Sequence, residues 1–295
     1  MILGLRTILF ATTAVWGLNL TVVKLLTAHV DTLMLATLRT ALATLALSCI
    51  VWFRPTGMSR LRRDHWIRIA VCAVFMVYGN QIFFVSGMQL SSATNAALVV
   101  ALSPMAALVV ASIVLGERLR RASVTGVLIG FAGVAAVILA RSGADLSTSG
   151  VGDLLVLLSV ASFALGGAVV QRLAQDLEPM SLSWAIHLLG SILLLVHMLV
   201  TQAGSLGAIA TLTMTTWGLL LFSGAVATGL GSLVWNMSIS AIGVGRTTSA
   251  LYWVPIFGVG FAVVALGESL SIWHPIGLVA VLTGTWITSR SSSSH

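Results

Sequence analysis

Charge is scarce in this chain. Of its 295 residues only 8% are Asp, Glu, Lys or Arg, 58% are hydrophobic, and the mean hydropathy is +1.06. Soluble domains carry roughly a quarter charged residues, so a water-soluble fold is excluded. Cysteine is rarer still: Cys49 and Cys72 both fall inside apolar stretches, where a free thiol behaves as a small buried hydrophobe. Neither a disulfide nor a metal site is expected, and no cofactor. The first apolar run, roughly 7–27, has no Ala-x-Ala-like site after it and contains Lys24. It reads as a retained helix and not as a cleaved signal. The isoelectric point near 11.0 invites a nucleic-acid reading, but such a binder clusters its Lys and Arg on one solvated face. Here they sit in short loops between apolar runs, which excludes nucleic acid and reports membrane orientation instead.

A bilayer core takes about 20 mostly apolar residues per helix. Segments of that kind fall at roughly 7–27, 31–53, 66–89, 93–115, 121–140, 152–174, 178–200, 214–240, 243–266 and 272–289. The expected fold class is an all-α membrane protein of ten transmembrane helices. Loop charge orients it. Arg6, the five arginines between 54 and 68, Arg118, Arg120, Arg121, Arg172, Arg246 and Arg290 fall on one side, and only Arg141 on the other. Both termini are therefore expected to be cytoplasmic, in a bacterial inner membrane. Residues 291–295 are polar and featureless, expected to be a disordered or appended tail.

The chain matches itself. A shift of 151 residues puts Trp66 on Trp217, Pro104 on Pro255, Leu115-Gly116-Glu117 on Leu266-Gly267-Glu268, Gly126 on Gly277 and Gly133 on Gly284. Nearer the start, a shift of 147 puts Ala14 on Ala161 and Leu26 on Leu173. This predicts two repeats, 1–145 and 146–290, of five spans each. Five is odd, so the second copy enters the membrane from the opposite side and the repeats are inverted. The charges agree: Arg118, Arg120 and Arg121 are replaced by Ser269, Ser271 and Ile272 where the loop must face outward. Inverted repeats are a common plan of secondary transporters, with the solute site near the midplane between the halves.

These residues resemble a known family, the drug/metabolite transporter superfamily in its ten-helix EamA-type branch. The resemblance covers nearly the whole chain. It rests on the doubled pattern of a mid-helix Pro followed by Gly-Glu and a glycine-spaced helix, on Trp16-Gly17 with Lys24 in the first span, and on Leu38-Arg39 in the second. It implies an exporter of amino acids or other small metabolites. Drug, sugar or nucleoside efflux remains open as the alternative, with a channel or intramembrane enzyme more remote. A nucleophile paired with a base, or paired carboxylates, is not found in the spans, so no enzymatic activity is expected.

Polar residues are costly in lipid and should face a cavity. They gather in spans 1, 3, 4, 6, 8 and 9, with parts of 2 and 7, whereas spans 5 and 10 carry little beyond Ser and Thr. The expected solute pathway comprises Trp16, Asn19, Tyr78, Gln81, Asn95, His187, Trp235, Asn236, Tyr252 and Trp253. Pro104 and Pro255 each remove a backbone bond near midspan and are candidate hinges, freeing the carbonyls of Val100 and Leu251. Arg39, Glu117 and Glu268 are read as structural charges, the glutamates at helix ends. Arg39 could also grip a solute carboxylate. Lys24, near an outer end, is free to snorkel. The glycines at 126, 130 and 133 are expected to let helices pack closely. No carboxylate is expected at midplane, since all eight acids lie in loops or at span ends. That favours facilitated diffusion or exchange of a neutral or zwitterionic solute, by a chain acting as a monomer.

Overall fold

In lipid no water is present to satisfy the backbone, so an apolar chain must satisfy its own peptide groups within helices. A computed structural model describes residues 2–53, 61–114, 121–142, 148–201, 206–243 and 247–292. Among these, every regular element is a helix. Ten principal helices follow the ten apolar runs: α1 Ile2–Leu26, α2 Thr32–Trp52, α3 Arg63–Leu90, α4 Ala93–Val114, α5 Arg121–Ser142, α6 Thr148–Leu173, α7 Pro179–Thr201, α8 Met214–Ile242, α9 Ala250–Leu266 and α10 Trp273–Ser292. Seven of them are long and apolar enough to cross a membrane, and α5, α9 and α10 contain shorter apolar stretches. A short helix, Leu206–Ala210, lies between α7 and α8.

Helix ends are set by local chemistry. Asp31 caps α2, accepting from the backbone N–H of Leu33 at 3.0 Å and Met34 at 3.1 Å. Ser92 caps α4 through Asn95 N–H at 3.1 Å, and Thr213 caps α8 through Thr216 N–H at 3.2 Å. These side chains replace partners that the first turn of a helix lacks. Gly243 and Gly267 end α8 and α9 at φ 82° and 65°, a left-handed conformation that costs glycine little.

Helix packing follows the two-fold relation between the halves. The contact of α1 with α9 recurs as α6 with α4, that of α1 with α8 as α6 with α3, and that of α2 with α8 as α7 with α3. The equivalent pairs α2–α7 and α5–α10 also pack together. In the α5–α10 pair the backbones touch: a methyl on Gly284 would run into the carbonyl of Gly126, and one on Gly133 would lie 2.5 Å from Ala280 Cβ. Small residues in both helices permit this approach.

Two departures from regular α-helix repeat across the halves. Ala73–Gly79 in α3 and Phe222–Leu230 in α8 are wound as π-helix, and the 151-residue shift carries the first onto the second. Such segments insert an extra residue per turn and often mark functional sites. Next, α4 breaks at Ala101 and Leu102 just ahead of Pro104, while α9 is entered through a 3-10 turn, Ser249–Tyr252, just ahead of Pro255. The carbonyl of Val100 accepts from Ser103 Oγ at 2.5 Å.

Candidate functional site

Eight helices enclose a cavity of about 170 Å³ between the two halves, and α5 and α10 contribute none of its lining. Each half supplies one π-helical wall, through Met76 and Val77 from α3 and Ala227 and Thr228 from α8. The polar lining is Asn19, Arg39, Asn80, Gln81, His187 and Asn236, with serine and threonine hydroxyls between them. The rest is apolar or aromatic, and no lining residue is Asp, Glu or Lys. A mostly apolar pocket with a few convergent polar groups is the usual form of a small-molecule site.

The polar groups are held in order. Trp16 Nε1 donates to the carbonyl of Ala227 at 2.8 Å, which the π-helical winding leaves accessible. Ser223 Oγ donates to Asn19 Oδ1 at 2.6 Å. Asn80 Nδ2 donates to the carbonyl of Ser159 at 2.9 Å, and Asn236 Nδ2 donates to Ser183 Oγ at 2.8 Å. Asn236 Oδ1 is buried without a partner. His187 Nδ1 lies 2.9 Å from the carbonyl of Ser183. A carbonyl can only accept, so that contact puts a proton on Nδ1.

Of the expected pathway residues, the cavity gathers Trp16, Asn19, Gln81, His187 and Asn236. Trp235 lines a smaller cavity of about 40 Å³ that shares Ser103, Val160, Phe163 and Leu251 with the first and extends towards Gln171 and Thr248. Its ring lies 5.5 Å from that of Trp16. The structure does not bring Tyr78, Asn95, Tyr252 or Trp253 to the central cavity. Tyr78 turns to His197, 3.0 Å from Nδ1. Trp253 is 45% exposed and packs edge-on against Phe10. Tyr252 is half-buried in the 3-10 turn. Glu117 lies outside the described residues.

Asn95 and Glu268 belong to a second polar cluster, at the end of the bundle where α3 turns into α4. The Glu268 carboxylate, from the other half, accepts from the backbone N–H groups of Ala93 and Thr94, each at 2.9 Å. Asn95 Nδ2 donates to Asp153 Oδ2 at 2.9 Å, Ser91 Oγ donates to Asp153 Oδ1, and His274 Nε2 lies 3.3 Å from Asn95 Oδ1. Contrary to the expectation that it snorkels, Lys24 turns inward, and its Nζ donates to the carbonyls of Met88 at 3.0 Å, Gln89 at 3.2 Å and Ser91. The C-terminal carbonyls of α3 form the negative end of the helix dipole and attract the ammonium. This cluster ties α1, α3, α4, α6 and the α9–α10 connection together and closes that end. Asp153, only 1% exposed, is more deeply enclosed than its position near a span end suggested.

Asn80, Ser103 and Ser232 counted among the polar residues of the spans but were left out of the expected pathway set, and the cavity includes them. Ser159, Thr228, Phe84 and Phe163 in the lining were not singled out; they are residue types too common in apolar helices to stand out.

The sequence profile of the EamA-like transporter family matches this chain twice, over residues 5–139 and 150–290. A Bacillus subtilis protein named as an uncharacterized transporter, YyaM, is 28% identical over 82% of this chain and 79% of its own. A Salmonella typhimurium protein named as a probable amino-acid metabolite efflux pump is 27% identical over 92% of this chain and 90% of its own. A probable terminal-alkyne amino-acid exporter of Streptantibioticus cattleyicolor is 26% identical, with the same two coverages. A crystal structure at 18% identity superposes with a TM-score of 0.71, covering 98% of each chain, and so shares the fold.

Proposed function

The chain belongs to the EamA-like transporter family, and from that premise we propose that it exports or exchanges amino acids by alternating access through the central cavity. Membrane transport is the family's function; the solute class and the route are inferred from the cavity. The observation that carries the reading is the cavity itself, placed between two inverted halves and lined by amides and hydroxyls over an apolar wall. Two relatives named for amino-acid efflux support the solute class. The cavity is complete within one chain, which supports a monomer as the working unit.

The conformation described is closed at the Glu268–Asp153 cluster and continues towards the opposite end through the smaller cavity. With the termini in the cytoplasm, the side that the loop arginines favour, the cluster closes the outer end and the smaller cavity extends towards the inner one. Moving the solute across then requires the cluster to part and the opposite end to close. The prolines beside the broken turns of α4 and α9 sit where such bending costs least, because the backbone bonds there are already lost.

The lining has no carboxylate and His187 is its one imidazole; on this reading the solute gradient supplies the energy, with no proton carried. The test is counterflow of amino acids in proteoliposomes with and without an imposed pH gradient. Flux should differ by less than about twofold; strict dependence on the gradient would refute the facilitated mechanism.

A further inference from the structure

The cavity holds one permanent charge. Arg39 is only 2% exposed, lines the cavity, and among the described residues has no carboxylate partner. Its contacts are neutral oxygens: Nε donates to Ser223 Oγ at 2.7 Å, Nη1 to Gln81 Oε1 at 2.8 Å and Nη2 to Thr228 Oγ1 at 3.3 Å. The guanidinium also lies 5.6 Å from the centre of the Phe84 ring. A buried cation is ordinarily paired with an anion, because desolvation is expensive and neutral hydrogen bonds offset only part of it.

The neutral partners are oriented for a second purpose. The proton of Ser223 is committed to Asn19 Oδ1 at 2.6 Å, and that of Thr228 to the carbonyl of Ser223 at 2.8 Å. Both hydroxyls therefore meet the guanidinium only as acceptors, and the Arg39 head is fixed in place before any ligand arrives. A guanidinium has five N–H donors; three are used, which leaves two on the Nη nitrogens. Two donors on a rigid planar cation match the two oxygens of a carboxylate.

Resting on the transport reading above, we propose that Arg39 is the solute's anchor and that this carrier selects solutes by a carboxylate, with an apolar side chain lodged against the remaining wall. The wall supplies Leu20, Val77, Phe84, Phe163, Ile186 and Val254. Asn80 adjoins Gln81 and commits only its Nδ2 to Ser159, so its Oδ1 is left to accept from an ammonium group. The class of solute is an α-amino acid with an apolar side chain. The same uncompensated charge excludes cationic amines.

The experiment is a competition series on the unaltered protein in proteoliposomes, with radiolabelled L-leucine as probe. Unlabelled leucine competes fully; leucinamide and isoamylamine, which lack the carboxylate, compete about 100-fold more weakly. Arg39→Lys keeps the preference for acid over amide with a KM raised about tenfold, while Arg39→Gln abolishes the preference. Leucinamide competing as well as leucine would overturn the proposal without any variant. Movement of a nucleoside, a sugar or a cationic dye with no leucine flux would also overturn it, and transport would stand. No flux of any of these probes would defeat the transport reading itself.

Discussion

Replacing Glu268 with Ala should unlatch one end of the bundle. Its carboxylate accepts two backbone N–H groups at the start of α4, at 2.9 Å each. Loss of a side-chain cap costs ~1 kcal/mol, and a negative charge at the positive end of a helix contributes a further ~0.3–1 kcal/mol. When this end opens, water reaches the freed N–H groups in parent and variant alike. The substitution therefore weakens the closed state alone, by about 1.3–2 kcal/mol, and shifts the equilibrium towards opening by about 10- to 30-fold at 1.36 kcal/mol per tenfold. The assay places a reporter, Val100→Cys, on the cavity wall of a protein carrying Cys49→Ser and Cys72→Ser, and follows its reaction with an impermeant maleimide applied outside intact cells. Labelling should accelerate at least tenfold in Glu268→Ala and by less in Glu268→Gln, whose amide oxygen still accepts one bond. Faster labelling only from the cytoplasmic side would reverse the orientation drawn from the loop arginines. Unchanged labelling from both sides would refute the latch.

Other expectations concern packing and the site. Gly284→Val forces a side chain into the carbonyl of Gly126 and should destabilise the α5–α10 pair by about 1–3 kcal/mol, read as a lower melting temperature in detergent. Asn236→Ala removes the bond to Ser183 and the unpartnered carbonyl oxygen at the cavity, and should lower amino-acid flux severalfold while the protein still inserts. Trp253→Ala, on an exposed face beside Phe10, should leave flux within about twofold. Equal loss in both variants would show that solute passes elsewhere.

The polar tally of the spans pointed to the same eight helices that line the cavity, but it misassigned faces. In α3 the lining positions are Met76, Val77, Asn80, Gln81 and Phe84, the i, i+1, i+4, i+5 and i+8 face of a helix. Tyr78 lies two residues from both Met76 and Asn80, off that face, and turns to His197. Its polar aromatic side chain suggested the pathway; its position on the helix wheel does not. In α9, Leu251 and Val254 face the cavity and Trp253, between them, does not. An aromatic polar tip suits a pathway and a membrane-facing surface equally well, and only packing separates the two.

What the sequence determined by itself is the part governed by solvent: ten apolar runs, the asymmetry of the loop arginines, and a duplication whose odd span count inverts one half. These follow from transfer energies and connectivity and need no partner residue. The tertiary structure decided which side chains meet. Arg39 illustrates the difference. Its sequence position gave a cation deep in a helix; only the folded chain shows that Ser223, Gln81 and Thr228 surround it, that no acid among the described residues does, and that it opens on the cavity. Those partners lie 42 to 189 residues away along the chain. The charge in a helix is local, but whether it is paired depends on contacts that only packing creates.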